Sequence, residues 1–168
     1  ALFLVGFLPG QDLEEQVADL RDKIRAEFGI KLPPIPVPEN NQQSPEKIHL
    51  GEALFFDPNL SSCGEIACAS CHIPERGFSD GDKVSEGCRG ATGRRNSNSV
   101  YQNAFLSHLF WDGRVQSLEQ QALGPVVDPV EMANSWENVL KYLETGVHPV
   151  SRKKFSASAD FYKKYFQR

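Results

Sequence analysis

The chain is expected to fold as an all-α protein with long irregular loops, and three observations point there. Apolar residues at 13, 17, 20, 24 and 28 follow the three-to-four spacing of an amphipathic helix. Helix-capping signals recur in the second half of the chain, and no apolar/polar alternation of period two is sustained anywhere. With 168 residues, 40% of them hydrophobic and 24% charged, the chain is long enough for one ordinary domain with a core, and disorder is not the default.

The first nine residues, "ALFLVGFLP", are apolar but far too short to span a bilayer, which needs roughly 20. They read either as the tail of a signal or anchor segment or as an apolar stretch docked on the domain, so membrane contact is expected only through this segment. The amphipathic helix follows in "QDLEEQVADLRDKIRAEFG", residues 11–29, with Gly29 as its stop. Four prolines between Pro33 and Pro38 then predict an extended connector. Residues 1–43 thus form an apolar segment, a helix and a Pro-rich linker, and residues 44–168 form the main domain.

That domain opens with a helix in "SPEKIHLGEALFF", capped by Ser44 with Pro45 at its first position. Residues 57–97 carry much Gly, Ser, Asp and Arg with little periodicity, which marks a functional loop region. Helices return at "SLEQQAL", where Ser117 and Gln120 form a capping box, and at "SWENVLKYLETG", from Ser135 to Gly146. The last, "SADFYKKYFQR", carries its aromatics on one face. Gly124–Pro125 and Asp128–Pro129 are expected to break the helix that precedes them. A net charge of −4 with no basic block excludes a nucleic-acid partner on electrostatic grounds.

Cys63, Cys68 and Cys71 fall within nine positions, and His72 follows the last. With Cys88 the spacing C-x4-C-x2-C…C matches a plant-type [2Fe–2S] centre, although such a centre wants a strand-rich fold. A four-cysteine zinc site usually pairs two C-x-x-C arms, and a thioredoxin-like pair wants a βαβ unit. A fourth reading, beside these, uses the histidine, because C-x-x-C-H is the attachment signature of haem c. Two thiols on one turn reach two vinyl groups, and the next side chain rises to the iron. Cys68 and Cys71 are then the covalent attachment points and His72 the proximal iron ligand.

The surrounding blocks, "LGEALFFDPNLSSCGEIACASCHIPERGFSDG", "GRRNSNSV" and "FWDGRVQSLEQQALGPVVDPVEM", resemble the N-terminal half of the bacterial di-haem cytochrome c peroxidase/MauG family over about residues 49–132. The resemblance implies a class I cytochrome c-like haem domain, the one in which peroxide reacts, in a periplasmic or otherwise extracytoplasmic space. It implies hydrogen peroxide as substrate, and an electron-donor cytochrome or second haem domain as partner. The family carries two C-x-x-C-H motifs where this chain has one. A one-haem electron carrier, or a subunit of a larger redox complex, is the alternative.

Carried over by position, the family's peroxide-pocket acid falls on Glu131 and its glutamine on Gln121. A carboxylate there takes a proton from the near oxygen of peroxide and returns it to the far one, while an amide orients the ligand. Trp111 matches a tryptophan between two haems, an electron relay, against the plain alternative of a core indole. Asn96 matches a calcium ligand whose companions lie elsewhere. Arg95 and Arg114 are candidates for pairing haem propionates. Several relatives place a removable histidine ligand where this chain has Cys88; His49, His108, His148, Met132 and the Cys88 sulfur remain as sixth-ligand candidates, and an open or water-bound iron is expected. Cys63 and Cys88 are the cysteines left after haem attachment, and an oxidising compartment predicts a disulfide between them.

Overall fold

The structure, a computed structural model, describes residues 13–29 and 33–166. The N-terminal "ALFLVGFLP" segment lies outside the described residues. The chain forms two compact units, residues 1–38 and 39–168. In the first, α1 (Leu13–Phe28) ends at Gly29, whose φ of 64° is the left-handed conformation that stops a helix. Among the described residues no helix is long and apolar enough to cross a membrane.

The second unit is helical, with α2 (Pro45–Phe55), the single turn α3 (Cys68–Cys71), α4 (Leu118–Val127), α5 (Trp136–Thr145) and α6 (Ser156–Phe166). Among the described residues, β pairing is limited to three isolated bridges. The expected caps form. Ser44 Oγ accepts from Lys47 N, and Ser135 Oγ from Asn138 N. Gly146 closes α5 at a φ of 66°. At α4, Ser117 Oγ accepts from Gln120 N while the Gln120 amide oxygen reaches back to Gln116 N, one residue before the usual capping-box partner.

Helix α4 runs through Gly124–Pro125 instead of breaking there. Pro125 forfeits one backbone bond, a loss tolerated because the chain around it is held by others. Asp128 N donates to Gly124 O, Met132 N to Pro125 O and Asn134 N to Val126 O. Asp128–Pro129 does end the helix.

The core joins Leu60, Val126, Met132, Val139, Tyr142, Leu143 and Tyr162, so that α5 and α6 pack on the loop after α2. Asp57, just past α2, accepts from both Tyr142 OH (2.9 Å) and Tyr162 OH (2.8 Å). Burial and the adjacent Asp57 carboxylate push the Tyr162 hydroxyl well above the usual tyrosine range. Tyr162 is buried while its neighbour Phe161 stays exposed, so the aromatics of α6 do not share one environment.

The long loop region is irregular but heavily bonded. Ser61 is fully buried, and its Oγ donates to Pro58 O and accepts from the amides of Gly64, Glu65 and Ile66. Its carbonyl accepts from His148 Nε2 at 2.8 Å. Cys63 and Cys88 are joined as a disulfide. In this way the loop leading into α3 is held by a serine, a histidine and a disulfide.

Candidate functional site

Helix α3 is only one turn, which is all that two thiols three residues apart require. Ser70 Oγ accepts from Ala67 N at its start, and His72 N donates to Cys68 O at its end. Cys68 and Cys71 are the free cysteines, both half-buried. Burial raises both thiols above their ordinary value; Cys71, beside the carboxylates of Asp80 and Glu131, is pushed up to about 11. Both stay neutral near pH 7. Cys63 and Cys88 are spent on each other, which leaves only two of the thiols that a four-cysteine zinc or iron–sulfur centre needs.

His72 completes a donor set that fits haem c. Its Nδ1 lies 3.2 Å from Phe78 O, 3.1 Å from Asn98 O and 2.9 Å from Ser97 Oγ. Two carbonyls require a proton on Nδ1, which leaves the Nε2 lone pair available to a metal. Ser97 was not singled out in the sequence; the polar run "RRNSNS" is the signal that marks its neighbourhood.

Cys71 and His72 line a cavity of about 660 Å³, within the range that takes a large planar cofactor. Its walls come from the 85–98 loop, the 110–114 turn, α4 and the 128–131 turn, and include Arg94, Arg95, Asn96, Trp111, Arg114, Gln121 and Glu131. The sequence-assigned acid and amide therefore share one space with the sequence-assigned proximal histidine.

Each wall has a local cause. Gln121 lies at the end of the first turn of α4. Glu131 follows a tight turn in which Asp128 O accepts from both Glu131 N and Ala133 N, while Asp128 Oδ1 caps Val130 N. Burial and the nearby Asp128 charge raise the Glu131 carboxyl above the usual carboxylate range, and Arg114 opposes them. Arg114 itself forms a two-bond pair with Asp112 and stacks 3.5 Å over the Phe110 ring.

Trp111 is not a core indole. It is 57% exposed at the cavity rim, with Nε1 donating to Asn96 O at 2.9 Å. Asn96 thus supplies its backbone oxygen to Trp111. No group of three or more His, Cys, Asp or Glu side chains is arranged to hold a metal ion among the described residues.

The histidine candidates for a sixth ligand lie away from the cavity wall. His148 is fully buried, with Nε2 on Ser61 O and Nδ1 accepting from Ser151 N. His49 sits exposed on α2 and pairs with Glu52; His108 is exposed beside Ser107. Met132 is in the core and Cys88 in the disulfide.

A helical unit with a C-x-x-C-H turn, whose histidine shares a cavity with a carboxylate and an amide, is the class of domain that suits a covalently held haem. Residues 45–167 match the family model described as di-haem cytochrome c peroxidase, and the chain belongs to that family. It is 50% identical over 91 residues to cytochrome-c peroxidase IdrP1 of Pseudomonas sp. (strain SCT), covering 54% of this chain and 24% of that one. It is 40% identical over 125 residues to the methylamine utilization protein MauG of Methylorubrum extorquens, covering 73% of this chain and 35% of that one. Among solved structures it resembles a MauG-like protein associated with microbial copper homeostasis, with a TM-score of 0.65 at 38% identity, over 80% of this chain and 37% of that one. The chain therefore spans about a quarter to a third of the length of these relatives.

Proposed function

We propose that this chain is the peroxide-reacting haem c domain of a cytochrome c peroxidase-type oxidoreductase, with a class I cytochrome c-like arrangement around one haem. The observation that carries the reading is the meeting of Glu131, Gln121 and His72 around one cavity. A haem c bound here supplies the iron at which peroxide is reduced. Cys68 and Cys71 hold it through thioethers, each neutral S–H adding across a vinyl group. His72 would ligate the iron through Nε2, its ring kept in one tautomer by Phe78 O and Asn98 O.

In the same cavity, Glu131 would take a proton from one peroxide oxygen and return it to the other, and the Gln121 amide would orient the substrate. Reduction of hydrogen peroxide to two waters consumes two protons and two electrons. The electrons come from a donor cytochrome or a second haem domain, delivered at Trp111, whose indole stands exposed at the rim. Arg95 and Arg114 line the cavity and would supply cations to haem propionates. Asn96 is a calcium ligand only if a partner domain completes the set. Haem attachment and the disulfide both suit an extracytoplasmic compartment.

Two measurements test the proposal. Denatured protein in alkaline pyridine is expected to show a c-type haemochrome of one haem per chain, which acidified organic solvent does not extract. Extractable haem, or acid-labile sulfide, refutes the haem c assignment. Stopped-flow mixing of the haem-bearing chain with hydrogen peroxide is expected to give a rapid spectral change but poor sustained turnover, restored by a reduced haem-bearing donor. Trp111→Phe is expected to lower turnover with the donor while leaving the first reaction with peroxide intact.

A further inference from the structure

We infer that the Cys63–Cys88 disulfide and Gly87 are positioning residues for Glu131, clamping the turn that carries it against the cavity. The inference rests on the role proposed above for Glu131, and its structural half stands on backbone contacts alone.

The segment 130–132 is gripped from both ends of the disulfide. On one side Cys88 N donates to Glu131 O at 2.8 Å, and the Cys88 sulfur rests 3.4 Å from Met132 O. On the other, Ser62 N, adjacent to Cys63, donates to Met132 O at 2.8 Å. Cross-linking residues 63 and 88 therefore fixes two amides that hold two successive carbonyls.

Gly87 makes the approach feasible. A Cβ there would overlap the carbonyl oxygen of Val130 and sit 2.6 Å from that of Glu131. No flexible side chain is in the way to yield; both obstacles are backbone. The Glu131 side chain is thus aimed by a backbone segment that the Ser62 and Cys88 amides hold and that Gly87 lets approach closely. Displacement of a catalytic group by about an ångström is enough to cost up to about 100-fold in rate.

The test uses the haem-bearing full chain and four variants: Cys63→Ala/Cys88→Ala, Gly87→Ala, Glu131→Gln, and the cysteine pair combined with Glu131→Gln. Gly87→Ala keeps the disulfide and carries the same test if the cysteine variant folds poorly. The expected result is a 10- to 100-fold slower reaction with hydrogen peroxide for the first two, with the haem spectrum unchanged. The acid limb of their pH profile is expected to move to lower pH, since a loosened turn hydrates a carboxyl that burial and Asp128 raise and Arg114 lowers. In the Glu131→Gln background, removing the disulfide is expected to change the rate by less than about two-fold. Amide exchange at residues 62 and 88 is expected to speed up at least tenfold, on the order of a local opening.

Wild-type rates, pH limb and exchange in the first two variants, alongside a slow Glu131→Gln, overturn the inference and leave the Glu131 role standing. If Glu131→Gln reacts as fast as wild type, the proposed function falls instead. Amide exchange at 62 and 88 then decides the clamp by itself: unchanged exchange overturns it, and faster exchange supports it.

Discussion

Glu131→Gln is expected to slow the reaction of the haem-bearing chain with hydrogen peroxide by about 10²–10⁴-fold, equivalent to roughly 3–5 kcal/mol of barrier. The amide keeps the shape of the side chain but neither accepts nor returns a proton at the carboxylate's place. Glu131 supports such a role because it is half-buried, faces the cavity that His72 lines, and has a carboxyl raised above its ordinary range. The sign of the pH dependence follows. The base form is needed, so the rate is lost as pH falls through the Glu131 pKa, and that limb sits above the pH at which an exposed glutamate titrates. The variant is expected to lose the limb along with the rate, while its spectrum remains that of wild type. Stopped-flow measurements across pH check both. Equal rates for the two proteins would leave the one-haem electron carrier as the better reading.

The second large effect concerns stability rather than chemistry. Ser61→Ala removes one oxygen that serves four backbone groups, donating to Pro58 O and accepting from Gly64, Glu65 and Ile66 N–H. Ser61 is completely buried, so water does not simply replace the hydroxyl. An orphaned buried group costs about 1–3 kcal/mol, and more than one is orphaned here; a loss of about 3–5 kcal/mol is expected. At roughly 2–4 °C per kcal/mol this lowers the melting temperature on the order of 10 °C, measurable by thermal denaturation followed by circular dichroism. A shift of a degree or two would mean that the three amides find other partners.

Features set by local chemistry were legible in the sequence. Ser44, Ser117 and Ser135 cap helices because their side chains serve amides three residues on, and Gly29 and Gly146 stop helices because only the left-handed conformation is asked of them. The short turn of Cys68–Cys71 and His72 was legible as a motif for the same reason, since its residues lie within five positions. Pro125 sits inside a helix against its local chemistry because what tolerates it lies outside its own window, in bonds from Met132 and Asn134. Trp111 stays at the rim because Asn96 O takes its indole N–H there. Ser61, Gly87 and Ser97 owe their importance to partners that no spacing rule reveals: three amides, two carbonyls and an imidazole. The meeting of Gln121 and Glu131 with His72 came from family position, and no periodicity predicts it.

The bond between His148 and Ser61 has a further consequence, for the order in which the molecule assembles. It joins residues 87 apart, and the Tyr162–Asp57 bond joins residues 105 apart. Closing such spans costs chain entropy before any contact repays it, so these are late events in folding. During synthesis the two cysteines leave the ribosome long before the histidine and tyrosine that will lock the segment beside them. A nascent chain therefore presents its thiols on a loop whose anchors do not yet exist. The segment that leads into α3 is therefore locked only when α5 and α6 have packed, whereas the walls of the cavity beside it, drawn from residues 85–131, wait for neither helix.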